Sequence, residues 1–380
     1  MPARASRPNL KFRPGSAIFS PSPRNRAPNL PIPPPMIRPS VQALAPYVPG
    51  EQPKLKRVVK LNANENAYPP SPKVKEALRD FDPAKLRLYP DPTFNRLRHL
   101  LARRYGCKAE CVFVGNGSDE VLRLAIDVFV RNAAPVGVFE PSYSLYPVLA
   151  AIREAPLVSV PLPPDDAALA ALRPPEPRPD LFCLVNPNAP TGTMFGIEAV
   201  RAFARALAPS TLLVDETYAA FAGEDCLRLA FEEPNVVVSR TFSKAWSLAG
   251  LRVGVLVGPA PMIEALDKVK DSYNVDVLAQ TIAEAALSDP EWMQANARRL
   301  AATRDRFSAA LREKGWDVAP SRTNFVWCRP PEPKTAEQVQ AKVRNWGFLI
   351  RRFPDDPRFS DRLRISMGTD EEMDELLGYL

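Results

Sequence analysis

From about residue 51 onward, short runs that are almost purely apolar alternate with longer runs of helical period. The apolar runs include CVFVG (111–115), PVGVFEP, APLVSVPLP, DLFCLVNP, TLLVDETY and NVVVSRTFSK. Between or beside them lie amphipathic stretches such as SPKVKEALRDF and GIEAVRAFARALA. Strands without polar alternation must be covered on both faces, so the pattern predicts an α/β fold with a mostly parallel sheet between helices. One connection breaks the rhythm. Only about a dozen residues separate NVVVS from LRVGVLVG, too few for a full crossover helix, so RVGVLVG (252–258) is expected to run antiparallel.

The texture changes near residue 285. A long helical stretch, EWMQANARRLAATRDRFSAALREKG, leads into WDVAPSRTNFVWCRP, AKVRNWGFLIRRF, DRLRISMG and a closing helix DEEMDELLGYL. This reads as a smaller α+β domain over 285–380, joined by an N-terminal arm at 36–65, with a large domain over 66–284. Residues 1–35 are rich in Pro, Arg and Ser and are expected to be disordered. Their lack of acid also resembles an organelle transit peptide, whereas Met36 reads as a natural start of the globular chain. The expected location is the cytoplasm, with an organelle matrix as the alternative if the extension is a targeting segment.

Charge decides against one class of partner. The chain carries a net +7, yet seven of its 50 basic residues and none of its 43 acidic ones fall within 1–50. The remainder is balanced, so the globular part has no footprint for a nucleic-acid backbone. No apolar run approaches the roughly 18 residues needed to span a bilayer, so no membrane partner is expected. The five scattered cysteines suit a reducing compartment, and no metal site is expected of the pair Cys107 and Cys111. The single histidine, His99, reads as an exposed helix position, so another residue must move protons in any acid–base chemistry.

Four stretches carry chemistry when taken together. VGNGSDEVLRLAI places Gly117 and Ser118 between a strand and a helix, where backbone N–H groups form a phosphate cradle; alone it is also an ordinary helix start with Ser118 as N-cap. TLLVDETY puts Asp215 at the carboxyl end of a buried strand, either as a loop cap or as the partner of a cation. SRTFSKAWSLAGLRVG sets Lys244 at the end of the next strand, either solvated or as an amine nucleophile with Arg252 beside it. VNPNAPTG is a polar loop after a strand. A phosphate cradle, a buried carboxylate, an amine and a polar loop at one sheet edge suit a ligand with a phosphate, an aldehyde and a basic ring nitrogen: pyridoxal 5′-phosphate.

With these motifs the sequence resembles the fold-type I pyridoxal-phosphate aminotransferases, and within them the histidinol-phosphate aminotransferases. LNANENAYPP (61–70), LRLYPDP (86–92), GNGSDE (115–120), PSYSLY (141–146), NPNAPTG (186–192), DETY (215–218), TFSKAWSLAGLRVG (241–254) and LRISMGT (363–369) occur in the family's order over roughly residues 40–380. The resemblance implies an aspartate aminotransferase-like seven-stranded sheet and a homodimer. It implies that Lys244 binds the cofactor as a Schiff base and shuttles the proton, that Asp215 pairs with the ring nitrogen, and that Tyr218 and Asn188 serve the phenolic oxygen. Tyr143 would stack on the ring. Gly117, Ser118, Asp119, Thr241, Ser243 and Arg252 would surround the phosphate, with Tyr89 reaching it from a partner subunit. Arg364, Arg351, Tyr68 and Asn64 would face the substrate. One departure stands out: many members have Asn directly before Pro-Thr-Gly, where this chain has Ala189 after Asn188.

The implied reaction moves an amino group from histidinol phosphate to a 2-oxo acid, 2-oxoglutarate first among them. Aromatic amino-acid aminotransferases and threonine-phosphate decarboxylases share nearly all these motifs and remain alternatives. A non-catalytic ligand-binding protein is a remoter one, opposed by the presence of Lys244, Asp215 and Arg364 together.

Overall fold

The computed structural model describes residues 36–45 and 57–380. The extension expected at 1–35 lies outside the described residues, as does part of the arm expected at 36–65. Twelve strands form two sheets among the described residues. They are β1 (Val59–Leu61), β2 (Val112–Gly115), β3 (Val136–Glu140), β4 (Leu157–Pro161), β5 (Leu181–Val185), β6 (Thr211–Asp215), β7 (Val236–Thr241), β8 (Gly254–Val257), β9 (Asp317–Val318), β10 (Phe325–Arg329), β11 (Phe348–Arg352) and β12 (Leu363–Ser366).

The larger sheet has the order β2-β8-β7-β6-β5-β3-β4. Its strands are parallel except β8, which runs antiparallel to both β2 and β7, as the short connection before it requires. Successive side chains divide between two cores. Val112, Val114, Leu212, Val214, Val236, Val238, Val255 and Val257 face one, and Phe113, Leu213, Val237 and Leu256 face the other. That is why these strands contain no polar alternation. Strand β4 departs from the expectation of double coverage: at the sheet edge, Leu157 and Pro161 are exposed, and an edge is where a proline lacking an N–H is tolerated.

Helices cover both faces. Ile197–Leu207 buries Ala199, Val200, Phe203, Ala204 and Leu207, one stripe at helical spacing. Each large apolar side chain sealed this way contributes roughly 1.5–3 kcal/mol. The helix Gly117–Phe129 starts one residue before Ser118, and its N-cap is Asn116, so Ser118 is not the cap. His99 is an exposed position of the helix Asn95–Tyr105.

The smaller sheet has the order β1-β11-β12-β10-β9, with β1 parallel to β11 and the other neighbours antiparallel. The 24-residue helix Pro290–Glu313 and the last helix, Asp370–Tyr379, pack on it around a third core that includes Leu300, Phe307, Phe325, Phe348, Ile365 and Leu376. Thr369 and Glu372 close a reciprocal capping box at the last helix. Among the described residues no helix is long and apolar enough to cross a membrane.

Candidate active site

The register of the larger sheet assembles the site. Asp215 ends β6 opposite Ser239 of β7, and Thr241, at the end of β7, lies opposite Gly254, which in turn faces Gly115 of β2. The residues just beyond Gly115, Asp215 and Thr241 therefore emerge at one sheet edge, where ligands bind in open α/β sheets. A cavity of about 250 Å³ opens there, lined by Ser118, Asp119, Tyr143, Asp215, Tyr218, Thr241, Ser243, Lys244 and Arg252 among others. A wider surface groove of about 880 Å³ along Pro330–Ala336 holds none of these residues.

The cradle depends on close backbone approach. A Cβ on Gly254 would collide with the backbone of Gly117 and Ser118. A Cβ on Gly117, whose φ is +81°, would come within 2.5 Å of Arg252 Nη2. Arg252 itself takes a left-handed φ of 58° to turn the chain into β8. Its guanidinium donates to Asp119 Oδ2 at 3.0 Å and to Ser243 Oγ at 3.4 Å. Glycine backbone, hydroxyls and one guanidinium thus converge at a helix N-terminus, a donor set that suits a phosphate.

Asp215 is 2% exposed. Oδ1 accepts from Thr217 N at 3.1 Å and Thr217 Oγ1 at 2.7 Å, and Oδ2 accepts from Tyr146 Oη at 2.9 Å. These donors are neutral. Burial raises the Asp215 pKa, opposed by the hydrogen bonds from Thr217 and Tyr146. A buried carboxylate held only by neutral donors has room for a cationic partner, and a protonated ring nitrogen is one that would fit.

Lys244 Nζ donates to the Ala63 carbonyl at 3.0 Å. Burial, then the positive charge of Arg364, brings its pKa down to about 8. Free amine therefore forms near neutral pH, as a lysine nucleophile needs. Covalent capture of pyridoxal phosphate by the apoprotein is expected to quicken as pH rises through about 8 and to level off above it. Stopped-flow absorbance measures this, and a capture rate flat from pH 6 to 10 would contradict the assignment.

Nine of the expected residues thus line one cavity, with Gly117 directly behind Arg252. Asn188 is not among the lining residues. Its Nδ2 donates to the Pro141 carbonyl and to Thr191 Oγ1, while Ala189 lines the cavity. The two lie at the start of a turn closed by Gly192 N on the Asn188 carbonyl at 2.9 Å, and there the backbone path turns Ala189 to the cavity. Asn64 is 2% exposed, and its amide bonds Tyr218 and Ser366. Tyr68 packs against the core of the smaller sheet, with the Arg299 guanidinium 4.3 Å from its ring, and Tyr89 is 80% exposed and stacks on Tyr273 at 4.3 Å; neither is among the lining residues. Arg364 stands just outside the lining, but its charge lowers the pKa of Lys244 and opposes the rise that burial causes at Tyr218. Arg351 lies directly opposite it on β11.

Sequence reasoning missed Tyr146, Thr217, Ala63 and Asn66. The Thr217 contact had a signal, since an Asp bonding the N–H two residues on is a common turn. Asn66 Nδ2 donates to the carbonyls of Lys244 and Ala245 across 178 and 179 residues of sequence, which no local pattern announces.

Known proteins share this architecture. A histidinol-phosphate aminotransferase of Chromohalobacter salexigens is 43% identical over 342 residues, covering 89% of this chain and 96% of that protein. One from Bradyrhizobium diazoefficiens is 43% identical over 346 residues, 90% and 97% of the two chains. The solved histidinol-phosphate aminotransferase of Sinorhizobium meliloti in complex with pyridoxal 5′-phosphate is 30% identical, with a TM-score of 0.80 over 90% of this chain and 95% of that one. A double mutant of the Thermus thermophilus aspartate aminotransferase, 21% identical with a TM-score of 0.76 over 91% and 98%, shares the fold. The family model for aminotransferase class I and II, enzymes that use pyridoxal phosphate, matches residues 56–380. With Lys244, Asp215, Ser118 and Arg252 set around one cavity within that span, this chain belongs to the class I and II aminotransferases.

Proposed function

We propose that the amino donor is histidinol phosphate and the acceptor 2-oxoglutarate. The observation that carries this reading is the arginine pair. Arg351 and Arg364 are direct cross-strand neighbours on β11 and β12. Their guanidinium carbons lie 5.7 and 5.8 Å from the centre of the Phe353 ring. A phosphate monoester, with nearly two charges and three acceptor oxygens, suits two neighbouring guanidinium forks better than a single carboxylate does. The names of the relatives support the same substrate.

Bound pyridoxal 5′-phosphate supplies an aldehyde carbon for amines and a cationic ring that accepts an electron pair. The chain's own groups do the rest. Ser118, Thr241, Ser243 and Arg252 hold the phosphate, and Tyr143 offers its ring as a stacking face. Asp215 would keep the proton on the ring nitrogen. Lys244 Nζ would hold the cofactor and supply the base for the proton of the substrate Cα. Tyr218 Oη would donate to the phenolic oxygen. Residues 66–284 form the cofactor-binding domain in this reading, and 285–380 with the arm at 36–65 form the domain that binds the substrate's anionic end. The assembly is a homodimer in which Tyr89 of the partner subunit reaches the phosphate. Tyr89 is suited to that role by its exposure and by the exposed Leu86 and Leu88 beside it. A cytoplasmic setting agrees with the five unbridged thiols.

The test is a half-reaction screen. Holoenzyme is mixed with histidinol phosphate, phenylalanine, tyrosine or threonine phosphate, and the loss of visible cofactor absorbance is followed. Histidinol phosphate is expected to react fastest. Arg351→Ala is expected to raise its apparent KM by roughly 10- to 100-fold, the worth of a charged hydrogen bond, and to change phenylalanine less. If phenylalanine or tyrosine reacts faster, the substrate assignment fails; fast threonine phosphate with release of carbon dioxide would mark a decarboxylase.

A further inference from the structure

The segment Asn62–Asn66 leaves β1 and runs between the smaller sheet and Lys244, with polar groups engaged on both sides. On the sheet side Arg364 Nη2 donates to the Asn62 carbonyl at 3.0 Å, and Asn324 Nδ2 donates to the Asn64 carbonyl at 3.1 Å. On the lysine side the Ala63 carbonyl accepts from Lys244 Nζ. Asn64 joins the two. Its φ is +54°, a region that asparagine enters more readily than other side chains.

Ser366 of β12 grips Asn64 at two points. Its Oγ accepts from Asn64 N at 2.9 Å and lies 2.9 Å from Asn64 Oδ1. The backbone N–H is a donor only, so the serine hydroxyl hydrogen is free to go to the side-chain oxygen. With the amide oxygen toward Ser366 that hydrogen has an acceptor, whereas the reversed amide would offer Oγ a second donor; the network therefore selects Oδ1 for Ser366. Asn64 Nδ2 then faces Tyr218 Oη, at 2.9 Å. An amide NH₂ can only donate, so it occupies an acceptor position on the phenol oxygen and leaves the phenol hydrogen nowhere to go on that side. Tyr218 is 6% exposed and lines the cavity beside Lys244 and Asp215. Its hydrogen is thereby turned toward the cavity.

We propose that Ser366 and Asn64 are positioning residues that set the direction of the Tyr218 hydroxyl, making it a standing hydrogen-bond donor to the cofactor's phenolic oxygen. The importance of this donor is raised by Ala189, whose methyl group lines the cavity and donates nothing. The inference rests on the cofactor reading and is independent of which amino donor is used.

The test reads the cofactor rather than turnover: a pH titration of the visible absorbance of the pyridoxal-phosphate-loaded enzyme. A donor to the phenolic oxygen favours the deprotonated form of the lysine-bound cofactor, so losing it raises the titration midpoint. Tyr218→Phe removes the donor outright and is expected to raise the midpoint by about one pH unit, the equivalent of one hydrogen bond. Asn64→Gly keeps the left-handed backbone and deletes the amide; Ser366→Ala frees the amide to rotate. Both are expected to raise the midpoint by a smaller amount, and Ser366→Thr, which keeps the hydroxyl, to restore it. The double variant Asn64→Gly/Tyr218→Phe is expected to titrate like Tyr218→Phe alone, because the amide acts only through the phenol. An unchanged midpoint in both single variants at Asn64 and Ser366, or shifts that add in the double variant, would overturn the proposal. If Asn64→Gly does not fold, Ser366→Ala against Ser366→Thr decides alone. A preparation that takes up no cofactor and shows no visible band in the wild type would instead defeat the cofactor reading.

Discussion

Replacing Lys244 by alanine is expected to lower kcat by about 10⁴-fold or more, since one side chain is both the amine that holds the cofactor and the base that moves the substrate proton. The neighbouring cations cannot take over. Arg252 and Arg364 carry guanidinium groups, which bind anions in pairs and do not serve as amine nucleophiles. The variant is expected to fold, because the truncated side chain leaves the buried strand β7 and its register with β6 and β8 untouched. Three measurements check this. Borohydride should fix the cofactor to the wild type and not to the variant. A small primary amine added to the variant should restore part of the activity. Apoprotein stability should also change its pH slope. The folded-state pKa of Lys244 lies at about 8, below that of an unfolded lysine. The unfolded chain therefore binds more protons above pH 8, and wild-type stability rises with pH from there to the ordinary lysine range. The variant should lack that rise. Covalent capture of the cofactor by Lys244→Ala would sink the assignment.

How much of this was legible beforehand depended on how local each contact is. The antiparallel β8 followed from counting residues between two apolar runs, and Asp215 and Lys244 followed from their places at the ends of adjacent parallel strands. Strand ends are local features, and the sheet turns them into neighbours. The cradle glycines were legible because they sit at a strand-to-helix turn, although the helix begins at Gly117 and not at Ser118. Contacts made through the segment after β1 were not legible. Asn64 meets Ser366 across 302 residues, and nothing in LNANENAYPP says that its second asparagine faces a tyrosine rather than a substrate. Asn188 and Ala189 show a different limit. Which of two adjacent loop residues faces a cavity is set by the backbone path, and sequence spacing alone does not resolve a shift of one.

Asp215→Asn is expected to separate catalysis from stability. The amide oxygen can keep both bonds from Thr217, while the NH₂ would donate to Tyr146 Oη and so reverse the bond that Tyr146 now donates; one reversed bond is a small change, and the fold should persist. What disappears is the negative charge opposite the ring nitrogen. Breaking one side of a buried ion pair costs about 3–5 kcal/mol, so a fall in kcat of roughly 10²- to 10³-fold is expected, and steady-state kinetics reads it. The apoprotein should respond in the other direction. Burial raises the folded-state pKa of Asp215. The folded chain then binds more protons than the unfolded one as pH rises past the ordinary carboxylate value, and at neutral pH the buried charge opposes folding. Removing it should raise the apoprotein Tm at pH 7, and this gain should vanish at low pH, where the wild-type carboxyl is already neutral. Adding pyridoxal phosphate should raise the Tm of the wild type more than that of the variant, because only the wild type offers the ring a counter-charge. A variant that loses apo stability at pH 7, or retains full kcat, would show that Asp215 is a structural cap and not the partner of a cation. A residue that weakens the empty protein and strengthens the loaded one is what a binding site built around a cationic ring requires.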